Sequence, residues 1–426
     1  MKAFTFQTSP TILFGAGASS RIAGLLKDYK AAHVLLVTDK GVRAAGLTRN
    51  AEVAIAEAGI ALTVFDGVVA DPPSHVIEAA TAICREHGCD AVVSIGGGSA
   101  LDTAKLVAYL AKTPEKLDDV YGIGLATGER LPLLLVPTTA GTGSEATPVA
   151  VVTTPTNEKK AVVSSRLIPD WAVLDPVLTL RLPPDVTAQT GIDAMVHAIE
   201  AYTGKIKKNP ISDLFALQAL SLLAPNIRKV YKDGSDLEAR SAMHLGSVLA
   251  GMAFANSPVA AVHAFAYPIG ALFHVPHGLS NALILPDVLE FNRPAAETLY
   301  AELSEVIQPG YRRQSDAADA AAFIAEIKAI CRDCGVPSSL SAVGIGEDDL
   351  SKLTEDAMKQ KRLLDNNPRD LDYRQARAIY ASALAGRDPA TDAGAGHAPA
   401  FGGPAGILPD PAAHHGNVAQ QHGAST

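Results

Sequence analysis

Four histidines lie within a run of 46 residues, from Ser241 to Pro286, that contains no Asp, Glu, Lys or Arg. Because 19% of the chain is charged, so long a gap predicts backbone at the centre of the fold. Burial lowers the pKa of an imidazole, so histidines in this run are expected to be neutral, which is the form that binds metal ions. The four are His244, His263, His274 and His277.

Two of these histidines and an upstream pair have the residue types of a metal site. Asp193 and His197 are four residues apart, which places them on one face of a helix where they can share an ion. His263 and His277 would lie about 21 Å apart along an unbroken helix, so the chain must turn between them if they bind one metal. Places for that turn are offered by Pro268, Gly270, Pro276 and Gly278. We predict a single metal site formed by all four side chains.

Simpler explanations exist for each half of this pattern. A histidine in an apolar run is more often a hydrogen-bonded core residue, and an isolated Asp-x-x-x-His pair on a helix is usually a surface contact. The donor set also leaves the metal open, because three imidazoles and a carboxylate accept Fe²⁺, Zn²⁺ or Mn²⁺.

A second candidate site is the glycine turn Gly96-Gly-Gly-Ser99, which lies between an apolar segment and a helical pattern. Glycines let the backbone approach a bulky anion, and the helix N-terminus presents free N–H groups to phosphate. The alternative is a tight turn between strand and helix in which Ser99 and Asp102 form a capping box. The two explanations are compatible, and the turn predicts a nucleotide phosphate site.

Asp39 directly follows an earlier apolar segment. A carboxylate at the end of a strand can accept hydrogen bonds from a ribose 2′-hydroxyl and repels a 2′-phosphate. In the usual dinucleotide fingerprint the acidic residue follows the glycine loop, whereas here it precedes it. The alternative for Asp39 is a helix-capping or turn residue.

A loop rich in Thr, Ser and Gly, from Thr138 to Glu145, follows another apolar segment. Open α/β sheets bind ligands at the carboxyl ends of their strands, so the hydroxyl and N–H groups of this loop can hold a nicotinamide or a phosphate. Lys160 can add a positive charge, although beside Lys159 it also fits a solvated turn.

The elements that position these residues change in character along the chain. The first 180 residues alternate apolar strands with helical patterns, which is typical of parallel β-α-β construction. The predicted strands are 33–38, 61–65, 90–95, 133–136, 149–153 and 171–174. Pro183-Pro184 marks a boundary, after which the patterns are helical. We predict an α/β dinucleotide-binding domain over 1–182, an all-helical metal-binding domain over 183–385, and a disordered tail over 386–426.

Composition excludes several classes of function. The net charge of −9 and a pI near 5.7 argue against nucleic-acid and anionic-membrane partners. Polar and turn-forming residues interrupt the charge-free run before a membrane-spanning length accumulates. The chain opens without a secretory signal pattern, so a cytoplasmic protein is expected. Four cysteines are too few for a disulfide framework, and the pair Cys331 and Cys334 is interpreted as free thiols.

Together these motifs resemble the iron-containing alcohol dehydrogenase family. The motifs that carry the resemblance are Gly96–Ser99, Pro137–Glu145, Gly191–Glu200 and the block from His263 to Gly278. The resemblance covers about residues 1–385 and implies a dehydroquinate-synthase-like architecture with the active site in a cleft between the two domains. It implies Fe²⁺ bound by Asp193, His197, His263 and His277, with Zn²⁺ as an occasional substitute.

The resemblance also implies an NAD site. It assigns the pyrophosphate to Gly97, Gly98 and Ser99, the choice of NAD over NADP to Asp39, and a wall of the substrate pocket to Phe254. The remaining implied cofactor contacts are Asp102, Thr138, Thr139, Thr142 and Lys160.

The implied reaction is reversible hydride transfer between a small primary alcohol or diol and NAD. One position departs from the family, because Tyr267 stands where several members have a histidine assigned to proton relay. With an ordinary pKa near about 10, a tyrosine is a poorer proton shuttle at neutral pH, so the catalytic proton route stays open. Rival functions are a hydroxyacid–oxoacid transhydrogenase, a lyase of the dehydroquinate-synthase type, and a non-catalytic binding protein. Family analogy implies a homodimer or a larger homo-oligomer.

Overall fold

Nine strands and fourteen α-helices make up the computed structural model, which describes residues 3–8, 11–156 and 158–386. The strands are β1 (Thr11–Phe14), β2 (His33–Val37), β3 (Ala61–Phe65), β4 (Ala91–Gly96), β5 (Gly122–Ile123), β6 (Leu133–Pro137), β7 (Val149–Thr153), β8 (Lys159–Val163) and β9 (Trp171–Leu174). Helices of the first half are α1 (Ile22–Asp28), α2 (Lys40–Ala44), α3 (Arg49–Glu57), α4 (Ser74–Glu86) and α5 (Gly98–Lys112). Those of the second half are α6 (Pro184–Thr203), α7 (Pro210–Lys232), α8 (Leu237–Asn256), α9 (Ala261–Phe273), α10 (His277–Ile307), α11 (Asp316–Asp333), α12 (Leu350–Met358), α13 (Lys361–Asn366) and α14 (Tyr373–Ala385).

Six of the strands form one parallel sheet, in the order β1-β9-β6-β4-β2-β3. Successive residues of a strand point to opposite faces, so Leu36 packs toward α1 and α3, whereas Leu35 packs toward α4 and α5. Both faces are therefore covered, which explains why the central strands are continuously apolar.

The order of the strands reverses at β2. From β2 the chain passes to β3 on one side, and β4 then pairs with β2 on the other side, with Val37 opposite Ser94. In open α/β sheets such a switch point is where ligands bind. It brings the end of β2, where Asp39 lies, beside the end of β4, where the glycine turn begins. Adjacent strands therefore supply the acidic residue and the glycine turn although their order along the chain is unusual.

The second half is helical from Pro184 onward, which confirms the predicted fold class. Its core is formed by apolar side chains of α6 to α14, including Ile192, Leu220, Phe265 and Leu283. Helix α10 runs unbroken for 31 residues through Pro286 and Pro294.

The sequence analysis did not predict three of the strands, namely β1, β5 and β8. Strand β8 pairs with both β5 and β7 in a small separate sheet. Strand β1 is short, and β5 has two residues, so neither provides enough alternation to be read from one sequence.

Within the part of the chain that the structure describes, no single helix combines the length and apolar character needed to cross a membrane, and only α8 and α9 taken together, across a bend of 105°, meet that test. Apart from Gly386, the predicted disordered tail lies outside the described residues.

Candidate active site

Three helices position the four predicted metal-binding side chains. Helix α6 carries Asp193 and His197 on one face, as their spacing predicted, α9 carries His263, and His277 is the first residue of α10. The turn that joins the last two helices centres on residue 274, which adopts a left-handed conformation with φ of 55°. The following Pro276 has the extended backbone from which α10 begins. Pro268 and Gly270 lie inside α9 and make no turn.

The four donor atoms converge in space. One atom from each of Asp193, His197, His263 and His277 lies within 4.8 Å of all the others. The Nε2 atoms of the three histidines are 3.9, 3.8 and 3.7 Å from Oδ1 of Asp193, in chain order. Ligand bonds of about 2.1 Å in a tetrahedral site separate the donors by roughly 3.4 Å, so a small inward adjustment places all four on one ion.

Burial also sets the protonation state that a metal ion requires. Desolvation lowers the pKa of His277 to about 3 and that of His197 well below its ordinary range. Both imidazoles are therefore neutral at physiological pH and offer lone pairs. Two neutral imidazoles beside a third and a buried carboxylate fit Fe²⁺ or Zn²⁺.

Glu200 holds His263 from the side away from the other donors, a role that the sequence analysis did not predict. His263 donates its Nδ1–H to Oε2 of Glu200 at 2.7 Å, and the Val262 N–H donates to Oε1 at 2.7 Å. This pair fixes the tautomer that leaves Nε2 of His263 unprotonated and directed at the other donors. Glu200 lies two helical turns after Asp193, so helical spacing contained the signal.

Aromatic rings flank the four donors. The ring of Phe254 stacks on His197 with 4.3 Å between centroids. The ring of Tyr267 lies 6.2 Å from that of His263 and 5.9 Å from that of His277. Burial raises the pKa of Tyr267 to about 12, so the phenol keeps its proton at neutral pH.

The predicted pyrophosphate residues line a cavity of about 500 Å³ at the switch point of the sheet. Asp39, Gly97, Gly98 and Ser99 all border it, together with residues 66–70 of the loop after β3. Oδ1 of Asp39 accepts the N–H of Val42 at 2.9 Å and caps α2. The capping alternative for Asp39 is thus observed, and the same carboxylate still borders the cavity.

No capping box forms at Ser99, because α5 begins one residue earlier, at Gly98, with Gly97 at its N-cap position. The Asp102 carboxylate instead accepts the hydroxyl of Ser144 at 2.6 Å and the N–H of Val151 at 2.9 Å. It ties α5 to the loop that follows β6 and does not border the cavity.

Lys105, which the sequence analysis missed, reinforces that connection. Its side chain is fully buried, and Nζ donates to the Ser144 hydroxyl and to the Val149 carbonyl, each at 2.7 Å. A buried lysine needs such partners because an unpaired internal charge is costly.

Of the other predicted cofactor contacts, Thr139 and Thr142 lie beside the glycine turn and do not themselves border the cavity. A methyl group added to Gly97 would meet the Thr139 side chain at 3.7 Å, and one on Gly98 would meet that of Thr142 at 2.7 Å. Thr138 is buried. Lys160 lies in β8 with its ammonium group 5.5 Å from the centre of the Tyr121 ring, so it is a strand residue, not a turn residue.

The loop after β6 also contacts the helices of the metal site. A Cβ atom on Gly143 would lie 2.5 Å from Cα of Gly251 in α8, and one on Gly141 would lie 2.6 Å from Cβ of Thr190 in α6. These glycines allow the threonine-rich loop to lie directly against α6, which carries Asp193 and His197, and against α8, which carries Phe254.

Comparison with known proteins agrees with this geometry. Residues 9–176 match the family model described as iron-containing alcohol dehydrogenase, and residues 187–384 match the model of the C-terminal part of the Fe-containing alcohol dehydrogenase family. The chain is 40% identical over 375 residues to long-chain-alcohol dehydrogenase 1 of Geobacillus thermodenitrificans (strain NG80-2), covering 87% of this chain and 94% of that protein.

Solved structures give the same result. A 1,3-propanediol oxidoreductase superposes with a TM-score of 0.87 at 35% identity, covering 90% of this chain and 100% of the other. Sulfoacetaldehyde reductase from Bifidobacterium kashiwanohense, in complex with NAD⁺, gives a TM-score of 0.82 at 29% identity, covering 89% and 98%. The chain therefore belongs to the iron-containing alcohol dehydrogenase family.

Proposed function

We propose that the protein catalyses reversible hydride transfer between a small primary alcohol or diol and NAD, and yields an aldehyde or ketone and NADH. The observation that carries this proposal is the convergence of Asp193, His197, His263 and His277 within 4.8 Å in a chain of this family. The NAD complex of the sulfoacetaldehyde reductase supports the same cofactor here. The relatives named for long-chain alcohols and propanediol support alcohols as the substrate class.

The metal site combines four donor side chains with supporting neighbours. Asp193, His197, His263 and His277 would hold Fe²⁺, with Zn²⁺ or Mn²⁺ as substitutes, and the ion supplies Lewis acidity that favours the alkoxide form of an alcohol. Glu200 keeps Nε2 of His263 unprotonated. Phe254 and Tyr267 provide aromatic walls beside the donors and limit access of water.

The cofactor side centres on the glycine turn. Gly97, Gly98 and Ser99 border the cavity at the start of α5, so the free N–H groups of this helix N-terminus suit a pyrophosphate. Asp39 borders the same cavity and suits the ribose hydroxyls of NAD. We assign five further side chains to the cofactor site, as indirect or neighbouring contacts of NAD. They are Asp102, Thr138, Thr139, Thr142 and Lys160. The nicotinamide supplies the hydride acceptor, and the chain supplies orientation.

Tyr267 is excluded as a general base at neutral pH because its pKa is raised to about 12. It can still donate a hydrogen bond through its hydroxyl. We therefore assign the alcohol's proton to an acceptor other than Tyr267.

The proposal also covers the domain bounds, the cellular location and the oligomeric state. We assign the dinucleotide-binding domain to 1–182 and the metal-binding domain to 183–385, and we place the protein in the cytoplasm. A homodimer or larger homo-oligomer is supported by strand β1, which ends the sheet and exposes Ile12 and Phe14. Exposed apolar residues on an edge strand favour pairing with another chain.

The test is NADH formation by protein that has been stripped with a chelator, reloaded anaerobically with Fe²⁺ and given NAD with a panel of primary alcohols and diols. NADH that depends on added metal is expected. If NAD stays bound through gel filtration and free NAD is not turned over, the transhydrogenase reaction replaces the proposal. In a separate assay with a phosphorylated substrate, phosphate release without net NADH would instead indicate the lyase.

A further inference from the structure

Asn281 lies among the four donor atoms although it is not one of the predicted ligands. It follows His277 by one helical turn on α10 and is fully buried. Its Nδ2 atom is 2.7 Å from Oδ1 of Asp193 and 3.3 Å from Nε2 of both His263 and His277. One amide nitrogen thus contacts three of the four donors.

The orientation of this amide follows from its neighbours. Oδ1 of Asp193, at 2.7 Å, is an acceptor that keeps a free lone pair when it binds an ion, so the atom that faces it must be the NH₂ group and not the carbonyl oxygen. The single Nε2 lone pairs of His263 and His277 are reserved for the ion and do not enter this argument. The carbonyl oxygen, Oδ1, is buried and finds no hydrogen-bond partner among the described residues. Leaving a buried acceptor unpaired costs free energy, and the contacts of the NH₂ group offer a reason for this amide to be held there.

The position of Asn281 also closes one side of the site. Four donors around an ion define four triangular faces, and Nδ2 lies against the face formed by Asp193, His263 and His277. No hydrogen bond joins it to His197. A solvent or substrate oxygen cannot reach the ion through a face that the Asn281 side chain already covers.

Access to the donors is open only near His277. Its side chain is 33% exposed, whereas those of Asp193, His197 and His263 are 3%, 6% and 3% exposed. Because Asn281 covers the face that His277 shares with Asp193 and His263, the faces left for an incoming oxygen are those that include both His277 and His197.

We propose that Asn281 is a positioning residue of the metal centre with two effects. Its NH₂ group orients the Asp193 carboxylate toward the ion, and its bulk blocks the face opposite His197, so that the alcohol approaches between His197 and His277. This inference rests on the proposed metal site and goes beyond it by assigning the direction from which substrate arrives.

Two substitutions separate these effects. Asn281→Leu keeps a side chain of similar volume but removes the donor, whereas Asn281→Ala removes both donor and bulk. Asn292→Ala is the matched control, because Asn292 is a buried asparagine on the same helix whose amide bonds Asn367 and no donor of the site. Thermal unfolding of all three variants shows whether they remain folded.

The measurements are Co²⁺ affinity by chelator competition and the visible spectrum of the Co²⁺-loaded protein, which reports the number of ligands around the ion. Both Asn281 variants lose the amide that donates to the Asp193 carboxylate, so their Co²⁺ affinity is expected to fall about 10- to 100-fold. The Co²⁺ affinity of Asn292→Ala should be unchanged. Only Asn281→Ala is expected to alter the spectrum, through an added solvent ligand.

Wild-type affinity in both Asn281 variants would overturn the orienting effect, and an unchanged spectrum in Asn281→Ala would overturn the blocking effect. If the alanine variant does not fold, the leucine variant still decides the first effect. For the blocking effect, a long-chain primary alcohol is added to the Co²⁺-loaded wild-type and leucine proteins, and the change in the visible spectrum should be equal in the two. A larger change in the leucine protein would overturn the blocking effect. Failure of the wild-type protein to bind Co²⁺ would instead contradict the proposed function itself.

Discussion

The metal side and the cofactor side of this molecule are built from different materials. Asp193, His197 and His263 present side-chain atoms in an almost fully buried site that three helices assemble. The cofactor cavity, by contrast, is an open space of about 500 Å³ at the switch point of the sheet, and its bordering residues include Gly41, Gly67, Gly97 and Gly98. A buried side-chain site favours tight retention, whereas an open site suits a cofactor that exchanges at each turnover.

The contrast also separates the ways in which each site can fail. Removing one donor from the metal side takes away a bond that nothing else supplies. Adding an atom to the cofactor side fills space that a ligand needs. We therefore expect substitutions that shorten a side chain to damage the metal site and substitutions that enlarge one to damage the cofactor site.

The largest effect is expected from His263→Ala, which should abolish metal retention and activity together. It removes a donor and leaves Glu200 buried without the imidazole that it accepts from. His244→Leu is the control, since His244 is equally buried in the same half of the chain and has no partner among the described residues. Metal analysis after dialysis, with turnover measured on the same sample, provides the check. Retained metal with full turnover would remove His263 from the site.

Glu200→Gln should have the next largest effect, with metal affinity lower by about 10- to 100-fold. The glutamine carbonyl would still accept the Val262 N–H, so its NH₂ group would face His263 and donate to Nδ1. The imidazole proton would then reside on Nε2, the atom that must bind the ion. Chelator competition measures the change.

Glu302→Gln serves as the control for that prediction, because the Glu302 carboxylate accepts from the Tyr202 hydroxyl at the end of the same helix α6. Equal metal affinity in the two variants would show that the Glu200–His263 contact does not set the tautomer.

On the cofactor side, Gly97→Ala should weaken NAD binding about tenfold and leave metal content unchanged. The new methyl group would meet Thr139 only at an ordinary 3.7 Å, so the protein tolerates it, but it occupies the position where a pyrophosphate approaches the backbone. Titration calorimetry with NAD measures the change.

Gly24→Ala in α1 is the matched variant, because a methyl group there meets nothing within 4 Å. If the two alanine variants bind NAD equally, the turn after β4 is not the pyrophosphate site.

The smallest of the four effects is expected from Asp39→Gly, which should raise the ratio of kcat/KM for NADP to that for NAD by several-fold to about tenfold, or roughly 1 kcal/mol. The carboxylate that repels a 2′-phosphate is lost, while glycine still serves as an N-cap at a cost of a few tenths of a kcal/mol. Steady-state kinetics with both cofactors measure the ratio. An unchanged ratio would separate Asp39 from cofactor choice.

The two sides also differed in how far the sequence predicted them. The spacing of Asp193 and His197 contains its own geometry, because one helical turn joins them. For His263 and His277 the sequence indicated that a turn must exist but not that it falls at residues 274–276, since Pro268 and Gly270 looked equally suitable. Proline within a helix is tolerated when the surrounding packing satisfies the freed carbonyl groups, and a single sequence does not show that packing.

Residues that act through others were the ones missed. Glu200 and Asn281 each lie at helical spacing from a ligand, but nothing in their residue type marks them until a partner from another helix is known. Lys105 was missed for the same reason, because its partners Ser144 and Val149 become neighbours only when β6 and β7 have formed. Asp39 and the glycine turn were identified separately, and only the pairing of β2 with β4 explains their reversed order.

The contact of Gly143 with Gly251 has a consequence for how this enzyme can change. Two backbones touch there without side chains between them, so the distance between the loop after β6 and helix α8, which carries Phe254, is set by main-chain contact. Any side chain at either position would increase that distance. Variants with a larger reaction chamber are therefore expected to arise through residues on the walls, such as Phe254, and not through the spacing of this loop and α8, which a pair of glycines holds at its minimum.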